Sequence, residues 1–146
     1  MPTAGRLAAA LAFFIYGWSI ALQATPLFPE GNPPNYILPL SIIVSVLIGW
    51  RVVGTRAGRG LSSAIGIGLT AAFLYVLWMV FLISFWDMIK RSLRLFYRGP
   101  MEAVVDVFDL MMQFTLRMAD INLVFSIFVG AVICALIAEY FGRRYP

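Results

Sequence analysis

The chain has 146 residues, of which 62% are hydrophobic and 12% are charged, and its formal net charge is +4. Soluble globular domains carry about 25% charged residues, so this composition excludes an ordinary water-soluble fold and predicts an all-α integral membrane protein forming one domain, residues 1–146. The absence of histidine and the single cysteine exclude an internal disulfide, a cysteine-rich metal site and a Ser-His-Asp or Cys-His catalytic group.

Four apolar segments predict transmembrane helices: residues 7–23, 36–53, 61–86 and 121–141. The proline-rich segment 25–35 separates the first two, and the Gly-Arg segment 51–60 separates the second from the third. After the third segment no helix breaker occurs before Gly99. We therefore expect that helix to continue to about Arg98, for a length of roughly 50 Å at 1.5 Å per residue.

Residues 87–118 carry about half of the charges in the chain and predict an amphipathic helical hairpin that turns at Gly99-Pro100. Each half places its polar residues on one helical face. The two faces are Asp87, Lys90, Arg91, Arg94 and Arg98 on the first helix, and Glu102, Asp106, Asp109, Gln113 and Arg117 on the second. Antiparallel folding then predicts that Arg98 faces Glu102, that Arg94 faces Asp106 and that Arg91 faces Asp109.

Three interpretations of this segment remain open. The helices lie separately at the membrane interface, or they pair through their charges, or the charges face a substrate anion or a partner subunit. Exposed ion pairs contribute only about 0–1 kcal/mol each, whereas a shielded charge without a partner is costly. The complementary stripes favour the paired hairpin, whose apolar outer surface needs lipid or protein against it.

Small residues recur every fourth position in each apolar segment and predict close helix packing. The clearest series lies in the last segment, and Gly68 belongs to a shorter series in the third. The predicted packing residues are Gly68, Ser126, Gly130, Cys134 and Ala138. Such series serve either self-association or packing of the spans within one chain, and the second use is the more common.

Arg51, Arg56 and Arg59 lie in the Gly-Arg segment, where they are candidates for contact with an anion or with lipid head groups. Arginines at such positions more often fix the topology of a membrane protein. The segment 25–35 has no Lys or Arg, which predicts cytoplasmic termini and a periplasmic hairpin. Because the basic residues flank apolar segments and form no separate basic run, the sequence gives no indication of nucleic-acid binding.

Three stretches resemble the TrgA family of small bacterial membrane proteins associated with tellurite resistance. They are MPTAGRL at 1–7, GWRVVGTRAGRG at 49–60 and YRGPMEAVVDVF at 97–108. The resemblance covers nearly the whole chain and the order of its apolar segments. It implies a location in the bacterial plasma (inner) membrane and a role in tolerance to a toxic oxyanion. It supplies no catalytic motif.

These observations favour a non-enzymatic membrane protein without a cofactor, associated with tellurite resistance. An alternative is an accessory subunit of a respiratory or photosynthetic membrane complex. The expected partners are the lipid bilayer and a protein or second copy bound through the hairpin or the small-residue series. A transporter is less favoured because the first three spans lack internal ionisable residues, and Glu139 in the fourth can pair with Arg143.

Overall fold

The computed structural model describes residues 4–28, 34–94 and 98–144, and the regular structure in these ranges is entirely helical. This confirms the all-α prediction. A 3₁₀ turn, Thr25–Leu27, follows the first helix, and a π-helical turn, Gly49–Val53, extends the second. The α-helices are α1 (Ala4–Ala24), α2 (Ile37–Ile48), α3 (Leu61–Leu93), α4 (Pro100–Arg117) and α5 (Ile121–Arg144).

Among the described residues, three helices are long and apolar enough to cross a membrane: α1 with its 3₁₀ turn, α3 and α5. The prediction of four spans is met only in part, because α2 with its π-helical turn is a shorter apolar helix, Ile37–Val53. At 1.5 Å per residue this helix is about 25 Å long, against about 30 Å for the hydrocarbon core of a bilayer. The helix begins later than the prediction, after a turn in which the Ile37 N–H donates to the Pro34 carbonyl.

The core lies between four helices, since α1 packs against both α2 and α5, and α3 packs against α5 and, less extensively, α2. Phe13 and Ala71 are fully buried at its centre, where the Tyr16 and Tyr75 rings pack in a T-shaped arrangement with their centroids 5.2 Å apart. Helix α4 packs on α3. The fold is therefore a small helical bundle with one additional return helix.

The predicted small residues lie where helices of this chain approach one another. A Cβ added at Gly68 would lie 2.8 Å from Val132 Cα, and one at Gly130 would lie 3.0 Å from the Tyr16 ring. The Cys134 thiol lies 3.5 Å from the Ala12 carbonyl oxygen. Ala138 is fully buried and Ser126 is half-buried. The contacts observed for Gly68, Gly130 and Cys134 are thus within the chain, between α1, α3 and α5.

Helix α3 ends at Leu93, followed by a turn at Arg94, about one helical turn before the predicted end at Arg98. Leu95 and Phe96, which the sequence assigns to the apolar surface of the hairpin, lie outside the described residues. Helix α4 begins where predicted, because Pro100 at its first position needs no N–H partner. Its C-terminal end returns to the bundle, where Phe114 and Met118 pack against the core.

Candidate functional site

The Gly-Arg loop between α2 and α3 is tied to the end of α5 by one carboxylate. Glu139 accepts hydrogen bonds from the backbone N–H groups of Gly58 and Gly60, each at 2.6 Å. Both glycines have positive φ, +96° and +125°, in the region that residues with a Cβ adopt only at a cost. The two glycines therefore turn two backbone donors towards a single acidic side chain.

The same carboxylate also accepts a hydrogen bond from Arg143 Nε at 2.9 Å, which confirms the expected pairing of these residues. The Glu139 side chain is only 1% exposed, so these charge-assisted bonds offset the cost of burying its charge. Gly142 packs beside this site, since an added Cβ would lie 3.0 Å from Ala57 Cβ. We refer to Glu139, Gly58, Gly60 and Arg143 as the loop seal.

The side chains of Arg51, Arg56 and Arg59 are exposed around this sealed loop. Arg56 and Arg59 lie in the loop itself, whereas Arg51 lies on the π-helical turn and lines a groove between α2 and α3. Within the described residues none of the three forms an ion pair with a carboxylate. This end of the bundle therefore presents positive charge that can bind phosphate groups or other anions.

Hydroxyl groups in the core join helices that are distant in sequence. Ser41 donates to the Gly17 carbonyl at 2.7 Å and lies 2.6 Å from the Tyr75 hydroxyl. Since the Ser41 proton is committed to Gly17, Tyr75 donates to Ser41. Tyr16 donates to the Ile127 carbonyl at 3.1 Å. These bonds connect α1 with α2 and α5, and α2 with α3, in the manner of polar residues in membrane helices.

The sequence interpretation missed this hydroxyl cluster, which consists of Tyr16, Ser41 and Tyr75. The available signal was the presence of two tyrosines well inside apolar segments, where an unpartnered hydroxyl would be unfavourable. Beside the cluster lies a cavity of about 80 Å³ lined by Ser41, Tyr75 and apolar side chains. Phe114 and Met118 contribute to its wall, so the C-terminal end of α4 covers it.

The charge stripes meet in a different register from the predicted one. Arg91 Nη1 lies 3.3 Å from Asp106 Oδ1, whereas the mirrored stripes assign Arg91 to Asp109. Asp109 instead accepts a hydrogen bond from Gln113 at 2.8 Å. Glu102 accepts one from the Arg98 backbone N–H at 2.9 Å, which joins the first turn of α4 to the residue before its N-cap.

The remaining charges of the predicted hairpin either contact the Tyr36 side chain or lie at a helix end. Asp87 accepts a hydrogen bond from the Tyr36 hydroxyl at 3.4 Å, and Lys90 Nζ lies 4.8 Å from the centre of the Tyr36 ring. Arg94 is exposed at the C-cap of α3. Arg117 is exposed in the last turn of α4, where a positive charge interacts favourably with the helix dipole.

Exchanging the charges of Arg91 and Asp106 tests the observed register. Arg91→Glu and Asp106→Arg each place like charges together, and we expect the double variant to recover stability, with a coupling of about 0–1 kcal/mol because the pair is partly exposed. Thermal unfolding in detergent measures this cycle. The matched cycle of Arg91 with Asp109 should give a smaller coupling, and a larger one there would favour the mirrored register.

Helix α4 buries one side and exposes another that is also apolar. Val107 and Leu110 are buried. The exposed residues of the opposite side recur at helical spacing and form what we call the outer stripe: Met101, Val105, Phe108, Met112 and Leu116. An apolar stripe of this kind is stable only against lipid or another protein. The outer stripe is therefore an exposed apolar face of α4.

Comparisons with protein-family models, with curated proteins and with solved structures found no match. The fold itself defines the class of the chain as an all-helical protein with three helices able to cross a membrane. Within residues 4–28, 34–94 and 98–144 no three acidic or cysteine side chains cluster as a metal-binding group.

Proposed function

We propose that the chain is an integral protein of the bacterial plasma membrane with four spans, of which α2 is the short one. The side chains at the two ends of α2 support this assignment. Tyr36 and Trp86 pack at one end, with ring centroids 5.9 Å apart, as aromatic residues do at a membrane interface. Arg51 at the other end can extend its charge to the head groups. A span of about 25 Å is accommodated by local thinning of the bilayer.

Cysteine labelling in cells tests the four-span arrangement. In a Cys134→Ser background, we expect Thr25→Cys and Thr55→Cys to react with an impermeant reagent from opposite sides of the membrane, since they flank α2. Labelling of both from the same side would show that α2 does not cross. With cytoplasmic termini, Thr55→Cys is the cysteine that reacts only from the cytoplasmic side.

We further propose that the protein acts without catalysis of its own in tolerance to tellurite, as its resemblance to the TrgA family implies. The observation that carries this proposal is the sealed Gly-Arg loop. The resembling segment 49–60 ends in the two glycines held by Glu139, and it displays three exposed arginines. With its carboxylate committed to the loop seal, this surface presents its arginine charges for binding an anion.

Deletion of the gene, followed by growth on a series of tellurite concentrations, tests this role. We expect reduced tolerance that is restored by the wild-type chain and only partly by a variant with Arg51, Arg56 and Arg59 all changed to Gln. Growth with hydrogen peroxide serves as the control for a general sensitivity to oxidants. Unchanged tolerance in the deletion strain would contradict the proposal.

The outer stripe of α4 favours a second candidate function, that of an accessory subunit in a larger membrane complex. Phe108 is 67% exposed and Met112 is 64% exposed, on a helix that is not among those long and apolar enough to cross a membrane, so a protein partner as well as lipid can cover them. Gentle detergent extraction and native gel separation should then give a large complex. We expect Phe108→Gln to dissociate it and Gln113→Ala, an exposed position on the polar side of the same helix, to leave it intact. Migration of the wild-type chain as a small species alone would contradict this function.

A further inference from the structure

A groove runs between α2 and α3 on the outside of the bundle, with a volume of about 480 Å³. Its walls are large apolar side chains, including Ile43 and Leu47 on α2 and Leu74 and Trp78 on α3. Other helix pairs approach closely through small residues, as Gly68 does against α5. Between α2 and α3 the Leu and Trp side chains line an open groove, while the two helices meet at Ser41 and Tyr75.

One charged residue, Arg51, lines this groove, and it lies at one end of the apolar walls. Its side chain is exposed, and within the described residues it forms no ion pair. Arg56 and Arg59 are equally exposed but do not line the groove. An anionic group bound at Arg51 would therefore be placed over the groove mouth.

The α2 wall of the groove is long enough for one acyl chain. This wall runs from Leu40 to Val52, and the eleven residue steps from Leu40 to Arg51 span about 16 Å of helix. Half of the hydrocarbon core of a membrane is about 15 Å. An acyl chain that starts at Arg51 and follows α2 would therefore be covered by the groove along its length.

We propose that this groove binds an anionic phospholipid, with its phosphate on Arg51 and one acyl chain between α2 and α3. The inference rests on the proposed spanning position of α2. Charge complementarity selects an anionic head group, and the apolar walls select a long hydrocarbon chain over a polar occupant. A lipid that binds the folded bundle and not the unfolded chain stabilises the bundle.

Native mass spectrometry of the purified full-length chain tests this proposal with phosphatidylglycerol and phosphatidylcholine of equal chain length. We expect preferential retention of phosphatidylglycerol and, on Arg51→Gln, a loss of that preference by about fivefold, the effect of about one charge near an anionic head group. Arg56→Gln and Arg59→Gln change the net charge equally and should keep the preference. Leu47→Trp, which fills the groove, should reduce retention of both lipids.

Equal retention of both lipids by the wild-type chain would overturn the proposal, because it would indicate only general contact with the bilayer. So would an equal loss in all three arginine variants, which would indicate attraction to the whole basic loop. Size-exclusion chromatography verifies that each variant is folded. The assay uses purified protein, so its outcome is independent of tellurite tolerance, and cysteine labelling reports separately on whether α2 spans.

Discussion

Replacing Glu139 with glutamine is expected to lower the free energy of unfolding by about 2–4 kcal/mol. The glutamine side chain keeps the shape of glutamate but has one acceptor oxygen, whereas the carboxylate serves Gly58 at one oxygen and Gly60 and Arg143 at the other. The N–H bonds of the glutamine amide would point at a backbone N–H of the loop, so two donors would face each other. At least one donor of the loop seal is then left without a partner in a site that is 1% exposed to solvent.

Two measurements check this expectation on purified protein. Thermal unfolding in detergent should show a lower midpoint for Glu139→Gln, while Glu102→Gln, an exposed residue on α4, should change it little. Limited trypsin digestion should cut the variant faster after Arg56 and Arg59, because release of the glycines lets the loop enter the protease. Unchanged stability and unchanged cleavage together would show that the seal does not hold the loop.

The loop seal also shows where prediction from the sequence stops. The i,i+4 spacing was enough to predict the pairing of Glu139 with Arg143. It could not indicate Gly58 and Gly60, because they lie about eighty residues earlier and become donors only through their positive φ. A carboxylate near the end of an apolar span, in a chain that also has a Gly-x-Gly loop, is the signal that could have suggested the contact.

The lengths of the hydrophobic segments predicted where the helices begin and end more reliably than the charge pattern predicted which residues pair. The predicted start at Ile121 agrees with the structure, because Asp120 accepts a hydrogen bond from the Asn122 N–H and begins α5 there. The mirrored stripes failed in register since they assumed a helix up to Arg98. With α3 ending at Leu93, the return of the chain is longer, and Arg91 meets Asp106 about one turn away from the expected Asp109.

The sequence predicted which helix faces carry small residues, but it did not predict which helices those faces contact. Four-residue spacing correctly placed Gly130 and Cys134 on one face of α5, which lies against Tyr16 and Ala12 of α1. Spacing alone does not state which helix a face meets, since every apolar segment of the chain carries small residues. For the same reason Gly17 was overlooked, although α1 and α2 pack closely there.

Gly17→Ala is expected to destabilise the bundle by about 1–3 kcal/mol, the usual cost of overpacking a tight core. The added Cβ would lie 2.1 Å from Ser45 Oγ, 2.9 Å from Ser45 Cβ and 2.9 Å from the Ser41 carbonyl oxygen. The Ser45 hydroxyl can rotate away by giving up its bond to Ile42. The backbone oxygen cannot move without separating α1 from α2, which would also strain the bond from Ser41 to Gly17.

Gly66→Ala is the matched control, because this helical glycine has no heavy atom within 4 Å of an added Cβ. Its better helix propensity should leave stability unchanged or raise it by up to about 1 kcal/mol, so the two alanine variants should shift the unfolding midpoint in opposite directions. In the double variant Gly17→Ala, Ser45→Gly the glycine is on α2 and not on α1, so the added Cβ has more room. This variant should recover part of the lost stability. Equal midpoints for Gly17→Ala and Gly66→Ala would show that α1 and α2 are not in close contact, because only that contact distinguishes the two glycines.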